Sequence, residues 1–393
     1  MKVVLASRLF APEVAAAAFR LRALTMALAE AGHGVTVLTT RAPADSGPEP
    51  ETGARVRRWP VLRDRNGTVR GYVQYASFDI PLALRLLAQP ADMVVCEPPP
   101  STGVVAAVVC GLRRIPLYYY AADVWSDALV ASGAPRPVIA VMRMLERIVL
   151  RRASGVLAVS DGVAERVVAL GAAPDRVEVV SNGIDTEVFA PSVGDQSAPD
   201  PVLVYTGTMS EWQGADVFIR ALPEVRRRCP GARIVFLGQG SAESELRELA
   251  ERLVPGAVEF GGVVPPAEAA RTLRSARGAL VSIVPGRGYD FARPTKIYAA
   301  TGCGTPVLFA GAGDGAALVR NNELGLVSGH DPAEVADRMV ELLSRTAFDS
   351  ARLVSWTEEH ASLRSTGRRA ARWITGVRDE RSAEEPRNSR RAA

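Results

Sequence analysis

The chain has 393 residues, of which 48% are apolar, 23% charged and 6% aromatic. This balance is typical of a folded globular protein, and it excludes a collagen-like, disordered or disulfide-stapled chain. The 47 basic and 43 acidic side chains leave a net charge of +4. That charge is too balanced to indicate nucleic-acid binding by itself. At about 150 residues per domain, the length predicts two or three domains.

Short β-branched runs alternate with longer amphipathic stretches in both halves of the chain. Continuous apolar strands separated by helices predict an α/β fold with two doubly wound parallel-sheet domains, and a ligand site in the cleft between them. The strand-like runs are residues 3–6, 35–39, 93–96, 117–121 and 155–159 in the first half, and 202–206, 233–237, 258–260, 279–284 and 306–310 in the second.

Composition shifts predict the domain boundaries. Residues 191–201 are rich in Pro, Gly, Ser and Asp, which predicts a linker between a domain of residues 1–190 and a domain of residues 202–354. Residues 378–393 are mostly charged and carry no aliphatic side chain larger than alanine, which predicts a disordered tail.

The sequence shows little sign of a metal, a disulfide or a membrane span. The four cysteines are scattered, and none of the three histidines has a second ligand at metal spacing, so we expect reduced thiols and no metal site. The first residues run directly into a strand-like segment and lack the pattern of a secretion signal. The most apolar run, residues 103–112, is too short to cross a bilayer. We therefore expect a cytoplasmic protein, peripheral at most to the inner face of the membrane.

The run Pro294-Thr295-Lys296-Ile297-Tyr298 follows a strand and a glycine-containing loop, and it is typical of a helix start. The free N–H groups and the dipole of such a helix end attract an anion such as phosphate. Lys296 is one of two lysines in the chain, and Arg293 stands close to it. The run therefore indicates either an anion site or a plain helix start.

Glycine-containing turns follow two strands of the second half. Gly207 and Thr208 close one strand and lead through Gln213 and Gly214 to a helix, and Gly238 closes the next strand. Glycine at such places lets the backbone approach a ligand closely. The dinucleotide fingerprint is incomplete here, because Glu243 stands where its third glycine would be.

Two carboxylates follow strands of the first half. Asp123 comes after the strand at residues 117–121, and Glu13 after the first strand. At the carboxyl end of a parallel strand, such a group either meets a substrate or caps the next helix. Asn182-Gly183 is by itself a turn signal.

In chain order, these motifs resemble the retaining nucleotide-sugar glycosyltransferases of family four, which have the GT-B fold of two Rossmann-like domains. The nearest similarity is to the subgroup that transfers N-acetylated amino sugars. The resembling segments are Phe10-Ala11-Pro12-Glu13 with Arg20, residues 32–39, Asp123-Val124-Trp125, Asn182-Gly183-Ile184-Asp185, Gln213-Gly214, Gly238-Gln239-Gly240, and Pro294 to Tyr298 with Gly302, Pro306 and Val307.

The resemblance implies a metal-independent, retaining transfer of an N-acetylated amino sugar or a hexose from a nucleotide sugar, most often UDP-linked. The C-terminal domain would hold this donor, which acts as a co-substrate with no further cofactor. The N-terminal domain would hold a small-molecule, carrier-linked or lipid-linked acceptor of envelope polysaccharide or natural-product biosynthesis. A last helix, residues 355–377, would cross back to the N-terminal domain.

The resemblance also implies roles for individual residues. The catalytic residues would be Lys296, which neutralises the leaving diphosphate, and Asp123 or Glu13, which orients or deprotonates the acceptor. Glu13, Arg20, Asp123 and Trp125 would lie on the acceptor side. The donor would contact Gly207, Thr208, Gln213, Gly238, Val263, Arg293, Thr295, Lys296 and Tyr298.

Three departures from the family pattern leave alternatives open. Two glutamates that usually flank the phosphate-binding helix are replaced by Phe291 and Ala299, and a usual His or Arg by Ala122. The chain could therefore be a catalytically impaired binding or scaffold protein. A sugar-nucleotide epimerase of the same fold is a further alternative, although the three histidines stand at unpromising places for acid–base chemistry.

A basic helix predicted at residues 138–152 carries Val138, Met142, Leu145 and Val149 beside several arginines. One interpretation is a core-facing helix with a wet basic face. The other is a peripheral contact with an anionic membrane, where a lipid-linked acceptor would be found.

Overall fold

The computed structural model describes residues 1–13, 15–43, 48–49, 51–63, 69, 71–131, 133–191, 200–344 and 348–376. Most of the predicted linker and the whole of the predicted tail at 378–393 lie outside the described residues. The chain divides into two units. One comprises Met1–Ser181 and the described chain from Thr366 on, and the other is Asn182–Ser365.

The first unit is built on a parallel sheet of seven described strands in the order β3-β2-β1-β4-β5-β6-β7. Its strands and helices follow one another along the chain as β1 (Lys2–Ala6), α1 (Ala16–Glu30), β2 (Gly34–Thr40), β3 (Arg55–Trp59), α2 (Tyr72–Ala88), β4 (Met93–Cys96), α3 (Pro100–Arg113), β5 (Leu117–Ala121), α4 (Trp125–Ala131), α5 (Arg136–Arg152), β6 (Gly155–Ala158), α6 (Asp161–Ala169) and β7 (Val177–Val179).

Helices cover both faces of this sheet. Successive side chains of each strand point to opposite sides, so neighbouring residues of one strand join different cores. On one face Val4 of β1 joins a core with Phe78 of α2, a residue that is fully buried. On the other face Val3 joins a core with Leu21 of α1. The strands are therefore apolar on both sides, which is the pattern from which a parallel sheet was predicted.

The second unit contains a parallel sheet of six described strands in the order β10-β9-β8-β11-β12-β13. Its elements are β8 (Asp200–Thr206), α7 (Asp216–Arg228), β9 (Arg233–Leu237), α8 (Glu243–Leu253), β10 (Val258–Gly262), α9 (Pro266–Ser275), β11 (Ala276–Ser282), α10 (Thr295–Gly302), β12 (Val307–Ala310), α11 (Gly313–Asn321), β13 (Gly325–Ser328), α12 (Pro332–Ser344) and α13 (Ser350–His360), followed by α14 (Leu363–Thr375). The prediction of two doubly wound parallel-sheet units is confirmed.

The boundary predicted after residue 190 is wrong by nine residues, because the second unit begins at Asn182. Ile184 forms a parallel bridge with Ser362, and its N–H donates to the carbonyl of Ala361 at 2.7 Å. Phe189 packs against the core of the second unit. The segment after the Asn-Gly turn is thus part of this unit, and the linker composition begins only after it.

The prediction of a single last helix at residues 355–377 is also wrong. The chain breaks at Ala361 and Ser362, where Ser362 pairs with Ile184, and two helices, α13 and α14, result. From Thr366 on, α14 belongs to the first unit, where Ile374 lies in the core of Val3 and Leu5. No helix in the described residues is both long and apolar enough to cross a bilayer.

Candidate functional site

A cavity of about 530 Å³ lies in the second unit, at the carboxyl ends of β8, β9 and β10 and beside the start of α10. Carboxyl ends of parallel strands are the usual ligand-binding edge of a doubly wound sheet. Eight of the nine residues predicted to bind a donor line this cavity: Gly207, Thr208, Gln213, Gly238, Val263, Arg293, Thr295 and Lys296.

The backbones of two glycine turns pack together and form one wall of the cavity. The N–H of Gly207 donates to the carbonyl of Leu237 at 2.7 Å, and the N–H of Gly238 donates to the carbonyl of Gly262 at 2.6 Å. Gly238 has a φ of +129°, and a Cβ there would lie 2.0 Å from the Gly207 carbonyl oxygen. The two turns approach so closely that only glycine fits between them.

Lys296 places an ammonium group at the cavity. Its Nζ lies 3.8 Å from the centroid of the Tyr205 ring and 3.5 Å from the carbonyl oxygen of Thr208. The described residues supply no carboxylate to pair with it. Burial lowers the pKa of Lys296 from its ordinary 10.5 to about 7. A bound anion would supply the missing countercharge.

The first turn of α10 adds donors beside this lysine. Pro294 stands at the N-cap position with no side-chain capping bond, and Thr295, Lys296 and Arg293 line the cavity. The unpaired N–H groups and dipole of a helix start favour an anion. Arg293 is partly neutralised, since its Nε lies 3.8 Å from a carboxylate oxygen of Asp314.

Gln213 organises the cavity wall. Its side chain is only 3% exposed, and its Oε1 accepts from the Tyr205 hydroxyl at 3.1 Å, the Thr208 hydroxyl at 3.3 Å and the Ser210 N–H at 3.2 Å. Three donors already use this oxygen. Gln213 therefore fixes the loop that carries Thr208, and its predicted contact with the donor stays a prediction.

Tyr298, the ninth predicted residue, does not line the cavity. Its side chain is 2% exposed and packs near the Trp356 ring, with 6.3 Å between the centroids. Two residues along a helix correspond to a rotation of about 200°, so Tyr298 faces away from the side that Lys296 occupies. One turn on from Lys296, Ala299 returns to the cavity wall.

The two positions at which the family pattern has a glutamate have different surroundings. Ala299 lines the cavity, so a methyl group stands where the pattern has a carboxylate. Phe291 is 44% exposed and lies outside the set of lining residues. Only the change at Ala299 alters the chemistry of the cavity itself.

Apolar side chains that the sequence argument missed form much of the remaining wall. Ile184, Phe189, Trp212 and Leu237 all line the cavity. Ile184 and Phe189 follow the Asn-Gly turn. The sequence argument used this turn in the resemblance but gave neither side chain a role, and their apolar character was the available signal. The cavity thus combines donors and a cation on one side with apolar walls, which suits a phosphate attached to a ring system.

The residues predicted on the acceptor side all lie at the carboxyl edge of the first sheet, but they differ in accessibility. Asp123 is exposed beyond the end of β5. Glu13 pairs with Arg63 at 3.4 Å, and burial raises the pKa of its carboxyl group, an effect that Arg63 partly offsets. Asp123 is therefore the more accessible carboxylate.

Arg20 is 5% exposed and forms a buried ion pair with Glu97, while its guanidinium lies 4.9 Å from the Tyr120 ring centroid. This arrangement makes Arg20 a part of the core and leaves it little surface for an acceptor. The predicted direct contact is therefore not favoured, and the helical position of Arg20 gave no sign of the pairing with Glu97.

Trp125 begins α4, and its N–H donates to Oε1 of Glu146 at 2.7 Å. The N–H of Ser126 donates to the same oxygen at 3.2 Å. Glu146 comes from α5, and burial raises the pKa of its carboxyl group. It caps the helix that follows Asp123 and so fixes this loop, a role that the sequence of α5 did not indicate.

The described residues contain no group of three or more His, Cys, Asp or Glu side chains placed to hold a metal ion. Their four cysteines are free thiols.

Two family models match consecutive parts of the chain. Residues 16–183 match a model described as a glycosyl transferase 4-like domain, and residues 200–345 match one described as glycosyl transferases group 1. Together the two matches include every described strand except β1, and every residue that lines the cavity except Ile184 and Phe189.

Curated relatives match parts of the chain. It is similar to the D-inositol 3-phosphate glycosyltransferase of Acidothermus cellulolyticus, with 35% identity over 193 residues, 44% of this chain and 42% of the relative. The enzyme of that name from a Nocardioides species is 30% identical over 293 residues, 66% of this chain and 62% of the relative. The chain thus spans between 42% and 62% of the length of these relatives.

Solved structures match over nearly the whole chain. The Anabaena protein Alr3699/HepE in complex with UDP gives a TM-score of 0.70 at 17% identity, covering 96% of this chain and 100% of that one. Its complex with UDP-glucose gives a TM-score of 0.69 with the same coverage. At this identity the likeness establishes a shared fold.

Proposed function

Since the chain belongs to the glycosyltransferases of family four and has their GT-B fold, we propose that it transfers a sugar from a nucleotide sugar to an acceptor. The observation that carries this proposal is the cavity of the second unit. There Lys296, without a described carboxylate partner, lies beside the start of α10 and two close-packed glycine turns. These groups suit a diphosphate.

The donor is a UDP-linked hexose or N-acetylated amino sugar. Support comes from Alr3699/HepE, whose structures are described as complexes with UDP and UDP-glucose. The diphosphate lies against Thr295, Lys296 and the Gly207–Thr208 turn. Val263, which is 68% exposed and also lines the cavity, contacts the nucleobase.

The leaving diphosphate gains negative charge as the bond from the sugar's anomeric carbon to the phosphate oxygen breaks. The Lys296 ammonium and the first N–H groups of α10 stabilise that charge more strongly in the transition state than in the ground state. These protein donors replace a metal in the mechanism. The acceptor attacks from the face that the diphosphate leaves, so the anomeric configuration is retained.

Asp123 accepts a hydrogen bond from the attacking group of the acceptor, or takes its proton. It is the exposed carboxylate at the edge of the first sheet, whereas Glu13 is held by Arg63. We expect Asp123→Asn to lower kcat by about 10²-fold or more with little change in the Kd for UDP. Steady-state kinetics with Glu13→Gln as the comparison measures this. An unchanged kcat for Asp123→Asn would show that another group serves the acceptor.

The donor proposal is tested by calorimetry with UDP, GDP, dTDP, ADP and their common sugars, with and without EDTA. We expect saturable binding of UDP and one UDP-sugar that EDTA does not alter. Turnover is then assayed with D-inositol 3-phosphate as the first acceptor, since the curated relatives are named for it, and next with carrier-linked and lipid-linked acceptors.

Two results would favour a different function. If no nucleotide binds, the methyl group of Ala299 in the cavity has replaced a needed ribose contact, and a binding or scaffold role becomes the better explanation. If a UDP-sugar is converted to its epimer without any acceptor, the protein is an epimerase of the same fold.

Donor binding should take up a proton above pH 7. The pKa of Lys296 is about 7 in the free protein, and a bound diphosphate raises it because the anion stabilises the ammonium form. Below about pH 7 the Kd of UDP-glucose should therefore not depend on pH. Between about pH 7 and about pH 8.5 it should increase with pH, by a factor that approaches tenfold per pH unit. Calorimetry in buffers of different ionisation enthalpy measures the uptake. Binding with no proton uptake would place the diphosphate away from Lys296.

A further inference from the structure

The helices on one face of the first sheet expose apolar side chains where a water-facing helix usually carries charge. On α2 these are Val73, Ile80, Leu84 and Leu87, with 65%, 68%, 68% and 48% of their surfaces exposed. Their spacing of seven, four and three residues puts them on one stripe of the helix. Because the opposite side of α2 is buried in the core, this helix is apolar on both sides.

The stripe continues across the two neighbouring helices, since α3 packs against α2 on one side and α5 on the other. Val108 and Leu112 of α3 are 44% and 74% exposed, and Val141 and Met144 of α5 are 54% and 53% exposed. We name these eight side chains of α2, α3 and α5 the apolar face. The outward side of α5 is therefore not the purely basic surface that one interpretation of its sequence predicted.

Positive charge surrounds the apolar face. The three helices contain two carboxylates, Asp79 and Glu146, and each is only 5% exposed. Asp79 accepts from the Thr102 hydroxyl, and Glu146 caps α4, so both are used inside the unit. All the other charged side chains of these three helices are arginines: Arg85, Arg113, Arg136, Arg143, Arg147, Arg151 and Arg152.

A groove on α5 joins the two kinds of surface. Its volume is about 220 Å³, and Ala140, Met144 and Ile148 line it together with Arg147 and Arg151. An apolar groove whose lining includes two arginines matches the chemistry of a phospholipid, in which acyl chains are joined to an anionic phosphate.

Trp59 and Leu62 extend this surface beyond α2. They are 42% and 55% exposed, the Arg85 guanidinium lies 5.9 Å from the Trp59 ring centroid, and the Leu62 N–H donates to the Ser77 hydroxyl of α2 at 3.0 Å. Tryptophan is enriched at the boundary between lipid and water, because its ring is apolar and its N–H is polar.

We propose that the apolar face docks the protein on an anionic lipid bilayer, with α2 and α3 in the interfacial layer and the arginines of α5 on lipid phosphates. A contiguous apolar surface of this kind marks an interaction site on a soluble domain. A second copy of the chain fits poorly, because pairing two such faces would bring their arginines together without carboxylates between them. This docking is independent of sugar transfer.

Vesicle flotation of the full chain tests the proposal, with phosphatidylcholine vesicles that contain or lack phosphatidylglycerol. We expect flotation with the anionic vesicles that weakens as salt is added. The double variant Ile80→Ser/Leu84→Ser should lower the partition coefficient by about tenfold or more. The matched control is Leu253→Ser, which changes a 38% exposed leucine of α8 in the second unit and should leave flotation unchanged.

Charge reversal tests the proposed contact between the arginines of α5 and the lipid phosphates. Arg147→Glu/Arg151→Glu should lower the partition coefficient by about tenfold or more, because each arginine contributes roughly a fivefold attraction to an anionic surface. The control Arg227→Glu alters a side chain of α7 that is 76% exposed in the second unit, and it should have little effect.

Thermal unfolding, which needs no ligand, verifies that each variant is folded whether or not the protein binds UDP. Absence of flotation by the unaltered protein would overturn the proposal, and so would equal flotation of the double variants and their controls. A stable dimer in light scattering that Ile80→Ser/Leu84→Ser dissociates would instead assign the face to a second copy.

Discussion

Replacing Lys296 by alanine should nearly abolish donor use while leaving the free protein at least as stable. The lost ammonium contacts a charged diphosphate, so we expect the Kd of UDP to rise about tenfold to 10²-fold and kcat/KM to fall about 10²-fold to 10³-fold. Calorimetry and steady-state kinetics measure the two effects. Lys2→Ala, at the only other lysine, is the matched control and should change neither.

The stability of the same variant follows from the lowered pKa of Lys296. Below about pH 7 both the folded and the unfolded chain carry this proton, and the folded ammonium bears its full burial cost. Between pH 7 and the unfolded value of 10.5 the unfolded chain binds more protons, so this cost declines as pH rises. Lys296→Ala should therefore keep or raise the Tm at pH 6 to 7. A clear fall in Tm would mean that the side chain mainly supports the fold.

Gly238→Ala should disrupt the cavity wall more than any other single methyl group added to the glycine turns named above. The new Cβ would lie 2.0 Å from the Gly207 carbonyl oxygen and 2.7 Å from its carbon, and the φ of +129° is unfavourable for alanine. Backbone atoms cannot rotate aside as side chains do, so one of the turns must move. We expect a loss of about 3 kcal/mol or more in the free energy of unfolding, with loss of UDP binding.

Gly262→Ala separates the clash from the effect of φ alone. Gly262 also has a positive φ, +68°, but its added Cβ would have no atom within 4 Å. We expect this variant to cost only about 1 kcal/mol, measured by urea unfolding, and to keep UDP binding. Equal losses for the two variants would show that conformational preference, and not the approach of the two turns, limits Gly238.

The central strands could be predicted from the sequence, whereas three strands at sheet edges could not. Strands such as β4 and β5 are buried on both sides and form the apolar runs that the argument used. The missed strands β3, β7 and β13 each end a sheet. Half of an edge strand faces water, so β3 can read Arg55-Val56-Arg57-Arg58-Trp59 and lack the apolar run.

The position of the cavity at the start of α10 and at the glycine turns was largely predictable, because it depends on local features. A helix start and glycine turns after strands can be read from neighbouring residues. The errors came from long-range pairing and side-chain direction. The burial of Arg20 depends on Glu97, far along the chain, and the direction of Tyr298 depends on the rotation of α10 relative to its sheet.

The position of α14 determines which of the two units can be completed first during translation. The first unit starts the chain, yet Ala370, Ala371 and Ile374 of its last described helix complete the core around Val3 and Leu5. The second unit is continuous from Asn182 to Ser365. During translation the second unit therefore has all its residues before the first one does, and a premature stop near residue 365 would leave the earliest-made unit as the incomplete one.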